Sequence, residues 1–169
     1  ADGNPSAGSG YFRLLLQRLR HKQRGIVGEN KGYILELASN DGTFLKPFKE
    51  KGYEVLGIDP AKNIADEANK EGVPTLPLFW GKEVAKQIEK ERGKASVIFA
   101  RNVLPHVANT RDFVEGIVAC LEEEGLAAIE VHYAKIIQEG LHYDSIYHEH
   151  LCYFTLKTLE FLLNGCGLY

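Results

Sequence analysis

Beyond Gly32 the chain alternates between two kinds of segment, and that alternation limits its fold more than any other feature. Short apolar runs with β-branched or aromatic content, Tyr33–Ala38, Tyr53–Ile58, Thr75–Phe79, Ala95–Ala100 and Leu126–Val131, have the length of buried strands. Between them lie stretches with 3.6-residue apolar spacing: Phe44, Leu45 and Phe48; Ile64, Ala65 and Ala68; Val84, Ala85 and Ile88; Phe113, Ile117, Val118 and Leu121. Strands alternating with helices predict a mostly parallel sheet covered on both faces, a doubly wound α/β domain.

At 169 residues the chain has the size of one domain, and no apolar run reaches the roughly 18 residues of a membrane span. Twenty Lys and Arg against 23 Asp and Glu leave a net charge of −3, so neither a nucleic-acid nor a membrane partner is expected. Cys120, Cys152 and Cys166 are odd in number and widely spaced, as in reduced thiols of a cytoplasmic protein. Residues 1–10 have the composition of a linker or cloning remnant. Residues 11–31 carry a basic amphipathic helix, with Phe12, Leu15, Leu16 and Leu19 on its apolar stripe, and a connection. Residues 32–169 form the α/β domain. A last helix carries Leu156, Leu159, Leu162 and Leu163, with Gly165 as its cap and Leu168-Tyr169 able to begin a strand. The sheet is therefore expected to lack its final strands, and an unpaired edge to favour self-association.

In a doubly wound sheet, ligands bind outside the carboxyl ends of the strands. The first such turn reads Glu36-Leu37-Ala38-Ser39-Asn40-Asp41-Gly42, whose small residues let backbone approach a ligand. The second strand closes on Asp59-Pro60, where a carboxylate is placed to accept hydrogen bonds from a ribose diol. A dinucleotide fold wants Gly-x-Gly-x-x-Gly at the first turn, and Gly42 alone is present. Glu36 and Asp41 repel phosphates and suit a cationic ligand, which favours S-adenosylmethionine over NAD.

These segments resemble the cofactor motifs of class I S-adenosylmethionine-dependent methyltransferases, with Ala38 standing where that family generally has Gly. The resemblance implies a Rossmann-like fold and cofactor contacts from Glu36, Ala38, Ser39, Asn40, Asp41, Gly42, Asp59, Pro60 and Asn102.

A second cluster, His142 to Phe154, holds three of the six histidines in nine residues. Histidine titrates near neutrality, so acid–base catalysis, a hydrogen-bonded structural network and a metal site using His148 and His150 all suit such a cluster. In an extended segment His148 and His150 share a face; in a helical one Tyr147 and His150 do. Tyr147-His148-Glu149-His150, with Tyr153-Phe154 and the earlier Arg101-Asn102-Val103-Leu104-Pro105-His106, resembles nucleotide-sugar C-methyltransferases. That resemblance implies a thymidine diphosphate-linked 4-keto deoxysugar substrate, methylated at carbon 3 without a metal. His150 is then the base, Glu149 or Tyr147 orients it or donates to the enolate oxygen, and His106 lies across the pocket. A non-catalytic S-adenosylmethionine-binding domain and a His-x-His metal enzyme are the competing classes.

Overall fold

The computed structural model describes residues 32–169; the basic helix expected within 11–31 lies outside the described residues. Five strands form one parallel sheet in the order β3-β2-β1-β4-β5: β1 (Tyr33–Leu37), β2 (Val55–Ile58), β3 (Thr75–Leu76), β4 (Ala95–Arg101) and β5 (Leu121–Glu130). The connecting helices are α1 (Lys46–Glu50), α2 (Lys62–Lys70), α3 (Lys82–Arg92) and α4 (Thr110–Cys120), followed by α5 (Ala134–Glu139) and α6 (Leu156–Asn164). The order reverses between β1 and β4, so the carboxyl ends of these two strands form the switch point at which ligands bind in such sheets. The expected doubly wound sheet is observed, and every described pairing is parallel.

All five residues of β1 are buried, as befits the central strand of a sheet covered on both faces. Phe48 of α1 packs on Phe99 of β4 with ring centroids 5.7 Å apart, and Phe44 meets Phe99 edge-on at 4.9 Å. Burying such a ring contributes about 1.5–3 kcal/mol, enough to hold the short α1 against the sheet. It also fixes the loop that precedes α1.

Strand and helix limits depart from the sequence expectations for local reasons. β1 stops at Leu37 because Ala38 turns into the left-handed region at φ 55°. β2 starts at Val55, since the Tyr53 N–H is spent on the Phe48 carbonyl at the end of α1. β3 is only two residues long: Pro77 has no N–H to continue the ladder. α1 begins at Lys46, where Pro47 suits a first helical turn. β5 extends back to Leu121, but between the pairs Ala95–Leu121 and Val97–Leu126 the register shifts, so Glu122–Gly125 bulge away and the regular ladder starts at Leu126.

α6 opens with a reciprocal Thr155–Thr158 capping box. At its end Gly165 keeps helical φ, and Gly167 takes the left-handed turn at φ 93° that returns the Leu168 N–H to the Leu163 carbonyl. Leu168-Tyr169 add no strand among the described residues. No described helix is long and apolar enough to cross a membrane. The three cysteines are free thiols, and Cys120 is buried against the Tyr33 hydroxyl.

Candidate active site

The loop after β1 is built from left-handed residues: Ala38 at φ 55°, Asn40 at 52° and Gly42 at 77°. Only Gly42 adopts this without steric cost, and a β-carbon there would also press on Val73 at 2.8 Å. Asp59 pins the loop to β2, its Oδ2 accepting the Asn40 N–H at 3.0 Å and its Oδ1 the Ala61 N–H at 2.9 Å. Each oxygen keeps lone-pair capacity, so this anchor is compatible with a further diol contact. Gly57 lets Ser39 lie directly over β2, where a side chain would collide with Ser39 Oγ and Thr75 Oγ1. Asp41 Oδ1 accepts the Thr43 N–H, a bond that holds its carboxyl below the ordinary range.

Two buried polar atoms at this turn, Glu36 Oε2 and Ser39 Oγ, have no hydrogen-bond partner among the described residues. Orphaned groups of this kind cost about 1–3 kcal/mol each. Glu36 is 1% exposed, and burial lifts its carboxyl to about pH 7, against the opposing pull of Arg101 and with a further upward push from Asp41 and Asp59. Arg101, on the adjoining β4, donates from Nε (3.1 Å) and Nη2 (2.9 Å) to the single oxygen Oε1, and its guanidinium lies 3.7 Å over the Phe44 ring. An unpartnered carboxyl oxygen and an unpartnered hydroxyl at one turn, with the acidic Asp41 acting on Glu36, fit a ligand bearing an ammonium group and a hydrogen-bonding tail. Those are the groups expected of S-adenosylmethionine. Asn102, at φ 52°, begins the turn beyond β4, and its Nδ2 donates to Glu130 Oε1 at 2.9 Å.

The histidine cluster gathers over the carboxyl ends of β4 and β5. Backbone bonds hold it there: Leu151 and Cys152 N–H both donate to the Pro105 carbonyl, and Ala134 N–H to that of Phe154. His106 and His150, 44 positions apart in sequence, consequently face each other with ring centroids 4.8 Å apart. Residues 147–150 form a turn, so Tyr147 meets His150 as helical spacing predicts. His150 is 8% exposed; its Nδ1–H donates to the Ser145 carbonyl at 2.8 Å, leaving Nε2 to accept the Tyr147 hydroxyl at 3.1 Å. That pair of contacts selects one neutral tautomer. His106 Nδ1–H likewise donates to the Glu149 carbonyl at 2.9 Å, freeing its Nε2.

Of the two residues expected to orient His150, Glu149 or Tyr147, the structure places Tyr147 against its ring and the Glu149 side chain away from it. The Glu149 carboxylate faces His148 at 4.0 Å, both side chains are exposed, and Tyr147 is the partner of His150. The turn separates the His148 and His150 rings, and both nitrogens of His150 are already engaged. Among the described residues no three His, Cys, Asp or Glu converge as metal ligands.

Sequence reasoning named Arg101 only as part of a motif and read Phe44 as helix core; it passed over His132 entirely. The His132 ring lies 5.2 Å from that of His150, two residues beyond the end of β5. The rule that singled out Asp59, a polar side chain just past the carboxyl end of a strand, selects His132 as well.

A parallel sheet with unpartnered buried polar atoms at its switch point and a histidine cluster beyond β4 and β5 places the chain in the Rossmann-like, doubly wound class. The particular family follows from comparison: residues 9–169 match the family described as "Methyltransferase domain", and the chain belongs to it. The chain is 35% identical over 135 residues to C-methyltransferase NovU of Streptomyces niveus, a match covering 80% of this chain and 32% of NovU. It is 26% identical over 106 residues to the putative methyltransferase YqeM of Bacillus subtilis, covering 60% of this chain and 43% of that protein. The chain thus spans less than half of these curated relatives. Among solved structures, a SAM-dependent methyltransferase from Archaeoglobus fulgidus superposes with a TM-score of 0.66 at 16% identity, over 92% of this chain and 68% of that one. The plantazolicin methyltransferase BpumL, solved with a desmethyl-plantazolicin analogue and SAH, superposes at 0.62 and 18% identity, over 79% of this chain and 55% of its own.

Proposed function

We propose that this methyltransferase uses S-adenosylmethionine to methylate carbon 3 of a nucleotide-linked 4-keto deoxysugar, after His150 has received the proton of that carbon. The observation that carries the reading is the Ser145–His150–Tyr147 relay: a buried imidazole with a fixed tautomer, its one free nitrogen hydrogen-bonded to a phenol that is 42% exposed. The name of the relative NovU, a C-methyltransferase, and the motif that Tyr147-His148-Glu149-His150 resembles support the same chemistry.

Carbon beside a ketone becomes nucleophilic only when its proton leaves and the enolate spreads charge onto oxygen. A base with a pKa near ambient pH performs that step best. Tyr147, the more exposed partner, meets the substrate: its oxygen takes the carbon 3 proton as its own hydroxyl proton passes to His150 Nε2, leaving the enolate, and the Ser145 carbonyl stabilises the imidazolium through Nδ1–H. His106, with Nε2 free, faces the same space and hydrogen-bonds the substrate or its enolate oxygen. At the switch point Glu36 and Ser39 hold the amino-acid end of the cofactor, with Asn40, Asp41, Gly42 and Ala38 shaping the turn around it. Asp59 accepts the ribose hydroxyls, Pro60 closes that edge and Asn102 lies beneath. When bound, the cofactor supplies a sulfonium methyl as the electrophile.

The test separates proton removal from transfer. With a thymidine diphosphate-linked 4-keto deoxysugar in deuterated water and no methyl donor, the protein should exchange the carbon 3 hydrogen. His150→Ala should lose exchange by about two to four orders of magnitude. Undiminished exchange in that variant removes His150 as the base.

A further inference from the structure

We infer that Arg101 is a positioning residue for the cofactor: by directing both of its bonds to Glu36 at Oε1 it favours the ionised form of that carboxylate and leaves the other oxygen, Oε2, without a protein partner, for the cofactor's ammonium group. The inference rests on S-adenosylmethionine being the cofactor, and concerns how this chain readies its site.

Three features support it. The contact is lopsided, with Nε at 3.1 Å and Nη2 at 2.9 Å both on Oε1, whereas a guanidinium and a carboxylate left to themselves favour two parallel bonds to two oxygens. Phe44 explains the geometry, because its ring lies 3.7 Å beneath the guanidinium and is held by Phe48 and Phe99, so Arg101 is fixed in place rather than free to follow the carboxylate. Oε2 is left buried without a partner among the described residues, as is the Ser39 hydroxyl of the same turn. An arginine that simply neutralised a buried acid would leave no such oxygen.

The charged groups acting on Glu36 from the surrounding elements are Arg101 from β4, Asp41 from the β1–α1 loop and Asp59 from the end of β2. The two aspartates favour its protonated form and Arg101 alone opposes them. Removing Arg101 therefore protonates Glu36 at neutral pH, and a neutral carboxyl no longer attracts an ammonium group.

The experiment is isothermal titration of the protein with S-adenosylhomocysteine, which keeps the ammonium end, from pH 6 to pH 8.5 in the parent, Arg101→Gln and Arg101→Lys. The ligand's own titration is common to all three and drops out of the comparison. In the parent, affinity should fall as pH drops through about 7, where Glu36 takes up its proton. In Arg101→Gln that fall should move at least about one pH unit higher, making binding about fivefold weaker than the parent at pH 7, with affinity regained by pH 8.5. Arg101→Lys should lie between the two, which a misfolded variant does not do. An unchanged pH profile in Arg101→Gln overturns the inference, and so does tighter binding at every pH, which would make Arg101 a competitor of the ammonium group. No binding by the parent at any pH instead overturns the cofactor reading beneath it.

Discussion

Replacing Glu36 with Gln should stabilise the protein at alkaline pH while leaving it nearly unchanged in mild acid. Glu36 is 1% exposed, and its carboxyl titrates at about pH 7 in the fold against 4.5 when free, chiefly because burial penalises its charge. Between those two values the folded chain holds a proton that the unfolded chain has released. Stability contributed by this group is therefore present below pH 4.5 and lost as pH rises to about 7. At about 1.36 kcal/mol per pH unit the loss amounts to about 3 kcal/mol, a large share of the roughly 5–15 kcal/mol that stabilises a typical domain. Gln keeps the shape and never ionises, and Arg101, held over Phe44 and 35% exposed, already has contact with water to solvate its charge once its partner is neutral. Urea unfolding of both proteins at pH 5 and pH 8 measures the effect, and the comparison cancels every other titrating group. The variant should match the parent within about 1 kcal/mol at pH 5 and exceed it by about 3 at pH 8. An equal difference at both pH values, or a variant less stable at pH 8, would refute the reasoning. Stability given up at a functional position is a common trade, and the same substitution should weaken cofactor binding.

Other substitutions check separate parts of the site. Asp59→Ala removes both the proposed ribose acceptor and the Asn40 and Ala61 anchors, so calorimetry should show cofactor affinity falling about one to two orders of magnitude. Ala38→Gly relieves a left-handed alanine, and chemical denaturation should show a net gain of about 0.5–1 kcal/mol after the added unfolded-state entropy is counted. Glu149→Gln should keep the carbon 3 exchange rate within about threefold of the parent, because the Glu149 contact with His106 is made by its backbone carbonyl, whereas His150→Ala should lose exchange about a hundredfold or more.

Much of this arrangement was legible before any coordinates, and the reason is periodicity. Five apolar runs spaced by helical segments admit few topologies, and strand ends then locate Glu36, Asp59 and Asn102 at one edge. Limits set by a single backbone bond or a single proline, as at Pro77 just past β3, lie below what patterning resolves. The pairing of Tyr147 with His150 followed from assuming a turn; choosing it over Glu149 required the backbone path that docks Leu151 and Cys152 on Pro105. Arg101 and Phe44 escaped notice because their roles depend on cross-strand register, Glu36 opposite Phe99, which no local pattern encodes. His132 was missed because it belongs to no motif, only to a position.

The most direct measurement of the central claim is where the methyl group goes. The protein is incubated with S-adenosylmethionine labelled with carbon-13 in its methyl group and a thymidine diphosphate-linked 4-keto deoxysugar, and the product is examined by carbon NMR. The account predicts a labelled methyl bonded to carbon 3 of the sugar, formed by the parent and not by His150→Ala. A labelled methyl on oxygen or nitrogen, or transfer that survives loss of His150, would contradict it.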